Sequence, residues 1–330
     1  MSAAVIETRT YIGVDVGKNK LDVSLPNDKR YETQNNARGV RRIVRDAKRF
    51  GAAVAFEATG PYERQLAHAC LEEDVPAARL DSWSVRRYAE SQGMLAKTDA
   101  IDCHLIRTYS ERAVKPIWRL RARSEAQERL TDTEHSRRNL EKARGILAAQ
   151  LEWVANDKVE AGLREIIAGL DRQIAELERQ SREIVMGDAR FANLFGRFQS
   201  VCGVGPAVAT AVLSDIPEIG ELSSRSIAAL VGVAPFDRKS CTVVKPSRPA
   251  RGRGAVRQIL YMPAMTAART NAIWKDLYER IRSRGKPPKV AIVAIIRKMV
   301  VLLNFIAKYD DFSVKAEPPK SRRRKTAKSA

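Results

Sequence analysis

The chain has 330 residues, 44% of them hydrophobic, enough to bury a sizeable core in one large domain or two smaller ones. Its 59 Lys and Arg against 39 Asp and Glu give a net charge of +20 and a pI near 10.1, which points to a polyanionic partner. Six basic side chains against Glu317 put +5 of that charge in residues Ala316 to Ala330, leaving +15 for the rest of the chain. The four cysteines, Cys70, Cys103, Cys202 and Cys241, are far apart and form no C-x-x-C pair. That argues against a zinc site or disulfide scaffold and for a reducing cytoplasm. No apolar stretch is read as reaching membrane length, and the Met1 to Arg9 start lacks a signal-peptide core, so a soluble cytoplasmic protein with no membrane partner is expected.

The first ~120 residues alternate strand and helix signals in the α/β manner. Strands are predicted at Thr10 to Val16, Leu21 to Leu25, Arg30 to Asn35, Ala52 to Ala58 and Ala77 to Leu80, and helices at Gly39 to Phe50 and Tyr62 to Glu73. A hairpin turn is expected at Gly17-Lys18-Asn19, and a further helix should start near Thr98 as N-cap.

From Glu125 to about Val185 glycine and proline nearly vanish. Leu163, Ile167, Leu170, Ile174, Leu177 and Ile184 recur in alternating steps of four and three, a coiled-coil seam. An earlier helix, Glu125 to Val154, is expected to fold back on this one across Asn156-Asp157. The pair reads either as a plain two-helix arm or as a dimerisation element. Phe191 to Tyr309 is predicted helical and opens with a helix, a tight turn at Gly203 and Gly205, and a second helix. This reads as a helix-hairpin-helix whose backbone N–H groups would face a phosphate, or as a helical corner with no ligand. The segment "FDRKSCTVVKPSRPARGRGAVRQ" reads as a basic loop carrying Arg238, Lys239, Lys245, Arg248, Arg251, Arg253 and Arg257, which would grip nucleic-acid backbones. "ILYMPAMTA" and "KVAIVAIIRKMVVLLNFIAKY" must be buried core helices, and residues 316–330 read as a disordered basic tail.

Four carboxylates stand out. Asp15 interrupts the apolar alternation of the first strand, Glu57 ends the strand "AVAFEATG", and Asp99 and Asp102 lie three apart at a helix start. An acidic residue within a strand is costly unless a cation neutralises it, and an i, i+3 pair shares one helix face. Together they could hold two divalent metals, Mg2+ (or Mn2+), the usual means of in-line phosphodiester cleavage. Each residue alone has a plainer reading, as a helix-start acid or an edge carboxylate. The three histidines, His68, His104 and His135, fall in helical patterns with no G-x-S-x-G partner, and no G-x-x-x-x-G-K-[ST] loop is present.

With these residues assembled, the chain resembles the DEDD transposases of insertion-sequence family 110. The likeness runs through "YIGVDVGKNKLDV", "FEATGPYE", "KTDAIDCHLI", "VCGVGPAVATAVLSDI", "AALVGVAP", "VRQILYMPAM" and "KVAIVAIIRKMV". It implies an α/β RuvC-like (RNase H-like) N-terminal domain over 1–124 and a coiled-coil helical hairpin over 125–190. A mostly α C-terminal transposase domain over 191–315 and the tail complete the division. The family's acidic set falls on Asp15, Glu57, Asp99 and Asp102. The resemblance further implies a catalytic serine, here Ser240, although Cys241 follows where the family usually has glycine. It implies a recombinase that cuts and rejoins donor and target DNA with the carboxylates of one subunit and the serine of another, through a covalent phosphoserine. A noncoding bridge RNA and a homo-oligomer, dimer or tetramer, are implied as partners.

Three rivals remain open at this point. A RuvC-like nuclease would use the carboxylates with water alone, and a non-catalytic nucleic-acid binder would use neither set. An actin-like ATPase or sugar kinase would need an Asp-Gly-type second phosphate loop, and the chain has no Asp-Gly dipeptide.

Overall fold

The computed structural model describes residues 5–58, 60–94, 99–114, 116–240, 243–249 and 252–312; for 99–101, 235–240 and 243–249 it describes the backbone alone. The chain divides into two compact units, Met1–Ala122 and Arg123–Ala330. The predicted N-cap Thr98, Cys241, Arg251 and the basic tail lie outside the described residues.

The first unit runs β1 (Tyr11–Val16), β2 (Lys20–Ser24), β3 (Arg30–Gln34), α1 (Ala37–Phe50), β4 (Ala53–Glu57), α2 (Arg64–Glu72), β5 (Ala77–Leu80), α3 (Ser82–Ser91) and α4 (Asp99–Arg112). The sheet order is β3-β2-β1-β4-β5; the β3–β2 and β2–β1 pairs are antiparallel, and the β1–β4 and β4–β5 pairs are parallel. This mixed sheet with helices on it fits the expected RuvC-like domain. The predicted turn is there: Gly17 N–H donates to the Lys20 carbonyl at 2.9 Å. All five predicted strands form, and α3 is an element that the sequence patterns do not signal.

Alternation along the strands sends side chains to two cores. On one face Ile12, Val14, Val16, Val54 and Phe56 meet Val40, Ile43, Val44 and Ala47 of α1. On the other, Tyr11, Ala53, Ala55, Ala78 and Leu80 meet Val85 and Ala89 of α3 and Leu105 and Ile106 of α4. Gly13 sits on this second face because α4 lies directly on it. A Cβ there would come within 2.2 Å of the Cys103 carbonyl oxygen and 2.5 Å of the Arg107 nitrogen, so only glycine fits.

The second unit begins with two long antiparallel helices, α5 (Glu125–Leu151) and α6 (Asp157–Gly187). Ser124 caps the first, its hydroxyl accepting from Gln127 N–H, and Asn156 caps the second through Lys158 and Val159 N–H. The reversal therefore falls where Asn156-Asp157 predicted it. A buried network joins the pair: Arg137 bonds Glu134 at 3.0 Å, and Ser181 donates to Glu134 at 2.8 Å. Of the predicted seam only Leu163 is fully buried, and Ile167, Leu170, Ile174, Leu177 and Ile184 remain half-buried.

There follow α7 (Ala189–Phe198), α8 (Pro206–Asp215), α9 (Ser224–Val231), β6 (Pro235–Ser240), β7 (Val243–Pro249), α10 (Gly254–Ile259), α11 (Tyr261–Thr270), α12 (Ala272–Arg282) and α13 (Pro288–Lys308). The segment expected as a basic loop is instead an antiparallel β-hairpin, with Ser240 paired to Val243 and Pro235 to Pro249. Prolines are tolerated because each strand of a two-stranded ribbon has an unpaired edge. By length and composition α13 could cross a membrane, contrary to the expectation that no stretch reaches that length. Its Ile292, Ile295, Ile296, Met299, Val300, Leu303 and Ile306 are buried in the core of the second unit, as predicted for this segment.

Candidate active site

The carboxylate end of the first unit is built by strand register. Val14 of β1 pairs with Phe56 of β4, so Asp15 and Glu57, each one residue further on, leave adjacent parallel strands side by side. Asp15 continues the Tyr11 and Gly13 face, and Glu57 the Ala53 and Ala55 face, so both belong to the side covered by α4. Both are half-buried.

Helix α4 opens with Asp99 and reaches Asp102 one residue before the Cys103 carbonyl that rests on Gly13. Asp102 is half-buried, and the Asp99 side chain lies outside the described residues. The helix is fixed further along by Arg107, which is 4% exposed. Its guanidinium donates to Ser24 Oγ at 3.1 Å and Glu111 at 3.1 Å and pairs closely with Asp28. Two of these contacts, to Ser24 and Asp28, tie α4 to β2 and the turn after it, setting where the start of α4 lies.

The register adds a carboxylate that the sequence reading left out. Asp22 of β2 stands directly opposite Asp15, its side chain 16% exposed and 3.2 Å from Lys20 Nζ. In sequence it looked like the ordinary polar position between Leu21 and Val23; only the pairing puts it beside Asp15. Like charges directly opposite one another on a sheet repel, so the pair calls for cationic compensation. Burial pushes the Cys103 thiol up to about 11, Arg30 works against that, and the Asp22 and Asp15 charges add to it. His104 is held below its usual range by burial, then by Arg107 and Arg30.

An all-oxygen carboxylate set of this kind suits a hard divalent cation. Among the described residues, however, no three Asp, Glu, His or Cys side chains come together closely enough to hold one.

In the second unit, Ser240 ends β6 at the far end of the hairpin from Pro235 and Pro249, and Arg238 pairs with Lys245 along the ribbon. The ribbon's base is clamped. Gly232 ends α9 in the left-handed conformation, Arg253 N–H donates to the Leu230 carbonyl at 2.7 Å, and Arg257 donates to the Gly232 carbonyl at 3.0 Å. Arg253 also forms two 2.6 Å bonds to Glu218 and one of 2.7 Å to the Asp215 carbonyl. Arg253 and Arg257 thus carry intramolecular bonds at the foot of the hairpin. Burial would raise the Glu218 carboxyl, but Arg253 holds it below its ordinary value.

The glycine turn between α7 and α8 divides in two. Gly203 (φ +88°) is needed for packing, since a Cβ would lie 2.5 Å from the Pro263 carbonyl oxygen. Gly205 is the N-cap of α8, and nothing lies within 4 Å of its Cβ position, so packing does not require glycine there.

Two family models match the chain: a DEDD-type IS110 transposase model over residues 12–155, and the model described as "Transposase IS116/IS110/IS902 family" over 196–279. The pilin gene-inverting proteins of Moraxella bovis and Moraxella lacunata are each 25% identical over 313 residues, covering 89% of this chain and 94% of the relative. The first match contains Asp15, Glu57, Asp99 and Asp102, and the second contains Ser240. The chain belongs to the IS110 family of transposases, enzymes that recombine DNA.

Proposed function

We propose that the protein cuts and rejoins donor and target DNA through a covalent serine–DNA intermediate, with Asp15, Glu57, Asp99 and Asp102 as one half of the site and Ser240 as the other. The observation that carries the first half is the side-by-side exit of Asp15 and Glu57 from β1 and β4, on the face where α4 opens with Asp99 and Asp102. Strand-borne ligands are held more rigidly than loop-borne ones, as a phosphoryl-transfer site requires. Mg2+ or Mn2+ bound by these carboxylates would supply charge neutralisation on the scissile phosphate. Asp22 would strengthen the negative field at Asp15, and Arg107 would hold α4 in place.

Ser240 Oγ attacks phosphorus, its proton leaves to solvent or a nearby base, and the phosphodiester P–O bond breaks to release a hydroxyl-ended strand. The reverse attack by a different strand's hydroxyl re-forms a phosphodiester and frees the serine. A partner copy supplies the serine to each set of carboxylates, so the working form is a dimer or tetramer; the half-buried seam of α5 and α6 supports association between copies. The gene inversion named for the Moraxella relatives is a rearrangement of the same kind. A bridge RNA pairs with donor and target, so base pairing selects the sequence while the basic chain grips backbones. Arg238, Lys239, Lys245 and Arg248 of the hairpin, Arg251 two residues after it in sequence, and the turn at Gly203 and Gly205 are the backbone contacts of this reading.

Strand exchange between donor and target duplexes, with and without the element's RNA, is the test. Recombination that needs divalent metal and RNA and is lost in Glu57→Gln is the expected result. Full exchange by Glu57→Gln would remove the carboxylate assignment, and full exchange without RNA would remove the guide.

A further inference from the structure

The geometry points to the solvent face of α1 as a docking surface for duplex DNA, on the side of the sheet away from the carboxylates. Gly39, Val40, Ile43, Val44 and Ala47 turn inward to the core, and the exposed positions are Ala37 and then Arg38, Arg41, Arg42, Arg45, Lys48 and Arg49. The single acid of the helix, Asp46, is occupied by the Tyr31 hydroxyl at 2.7 Å. Lys48 pairs with Glu73 at 2.5 Å, and Arg42 lies over the Tyr31 ring at 3.7 Å. Among the described residues none of the five arginines has an acidic partner in an ion pair.

This arrangement works against the helix that bears it. Residues 38 and 42, 41 and 45, and 45 and 49 are like charges at i, i+4, and Arg38 stands at the positive end of the helix dipole. An ordinary solvated face mixes signs, as α6 does with Arg164 on Glu160 and Arg179 on Glu176 and Glu183. Helix α1 is instead held by its buried face, by the Asn36 cap and by the left-handed Gly51 at its end. A polyanion would convert the repulsion into binding energy.

The stripe from Arg38 to Arg49 is about 16 Å long, close to half a turn of duplex. Its exposed positions offer no aromatic ring to stack a base and no amide to read one, so the contact is with phosphates and independent of sequence. DNA is the partner that transposase chemistry supplies. Since α1 and α4 cover opposite faces of the sheet, the duplex held here is a flanking segment, not the phosphodiester at the carboxylates.

The test is binding of a duplex of roughly 30 base pairs, about three helical turns, followed by anisotropy without divalent metal across a salt series. The full chain is compared with Arg38, Arg41, Arg45 and Arg49 all changed to Gln, all changed to Lys, and with a charge-matched Gln variant at Arg164, Arg172, Arg179 and Arg182. The α1 Gln variant is expected to bind at least about tenfold more weakly near 150 mM salt, with a salt slope lower by roughly 0.9 per lost contact; the Lys variant is expected to keep both. Unchanged affinity and slope, equal loss in the α6 control, or loss for duplex RNA but not DNA would each overturn the proposal. Because no metal or cleavage enters the readout, the outcome is separate from that of the carboxylate assignment.

Discussion

The carboxylate half and the serine half of the proposed site rest on opposite kinds of support. Asp15 stands on β1, hydrogen-bonded on both sides and roofed by a helix that leaves no room for one methyl group at Gly13. Ser240 ends one strand of a two-stranded ribbon, and Leu230, Gly232 and Arg253 fix its other end. The contrast suggests a division of labour. On the proposed mechanism, carboxylates that must hold an ångström-scale geometry stand on core elements, while the serine proposed to form and break a covalent link sits on a ribbon anchored at its foot.

The largest expected effect is at the rigid half. Asp15→Asn, Glu57→Gln or Asp102→Asn should each lower strand exchange by at least about a thousandfold, roughly 4 kcal/mol in the barrier, with nucleic-acid binding retained. Recombination within tenfold of the parent in any of the three would remove that residue from the site. Next comes the roof: Gly13→Ala should cost about 3 kcal/mol of stability, whereas Gly205→Ala, with open space around it, should cost under about 1 kcal/mol. Denaturant titration of both variants checks the contrast, and equal losses would mean that α4 can shift to accommodate a side chain.

A comparable effect, set by pH, tests the second unit. Burial would raise the Asp215 carboxyl, but hydrogen bonds from His135 and Arg138, the latter at 2.6 and 2.7 Å, outweigh it and hold the group at about 2. A carboxyl depressed on folding contributes stability that is present above its unfolded value, near 3.8, and is lost as pH falls toward 2. Roughly 2 kcal/mol should therefore disappear between about pH 4 and pH 2, and Arg138→Met should flatten that limb. An unchanged acid limb in Arg138→Met would show that the pair does not set it. The smallest effect is expected from deleting Glu317 to Ala330, which should weaken nucleic-acid affinity and reduce its salt slope while leaving strand exchange in place; an identical slope would count against a phosphate-contacting tail.

What the sequence disclosed follows the range of the forces involved. Period-two alternation exposed β1 and made Asp15 an anomaly, and the Asn156 cap marked the reversal between α5 and α6, because both signals are local. Helix α3 leaves no period in the sequence although Asp81 caps it, because only Val85 and Ala89 of its ten residues are buried, too thin an apolar stripe. The β6–β7 ribbon reads as a loop in the sequence because its prolines and basic residues oppose strand propensity, and only cross-strand pairing overrides them. Asp22 and Arg107 gained meaning only from register and packing, and Arg253 and Arg257 changed from free cations to clamps once Glu218 and the Gly232 carbonyl came into place.

The most direct test of the central claim is to trap the protein–DNA adduct. Denaturing electrophoresis after reaction with a labelled donor duplex should show a covalent species in the parent chain that maps by peptide mass to Ser240 and is absent from Ser240→Ala and from Asp15→Asn. Strand cleavage persisting in Ser240→Ala, with no adduct in the parent, would contradict the account and leave a carboxylate nuclease that uses water.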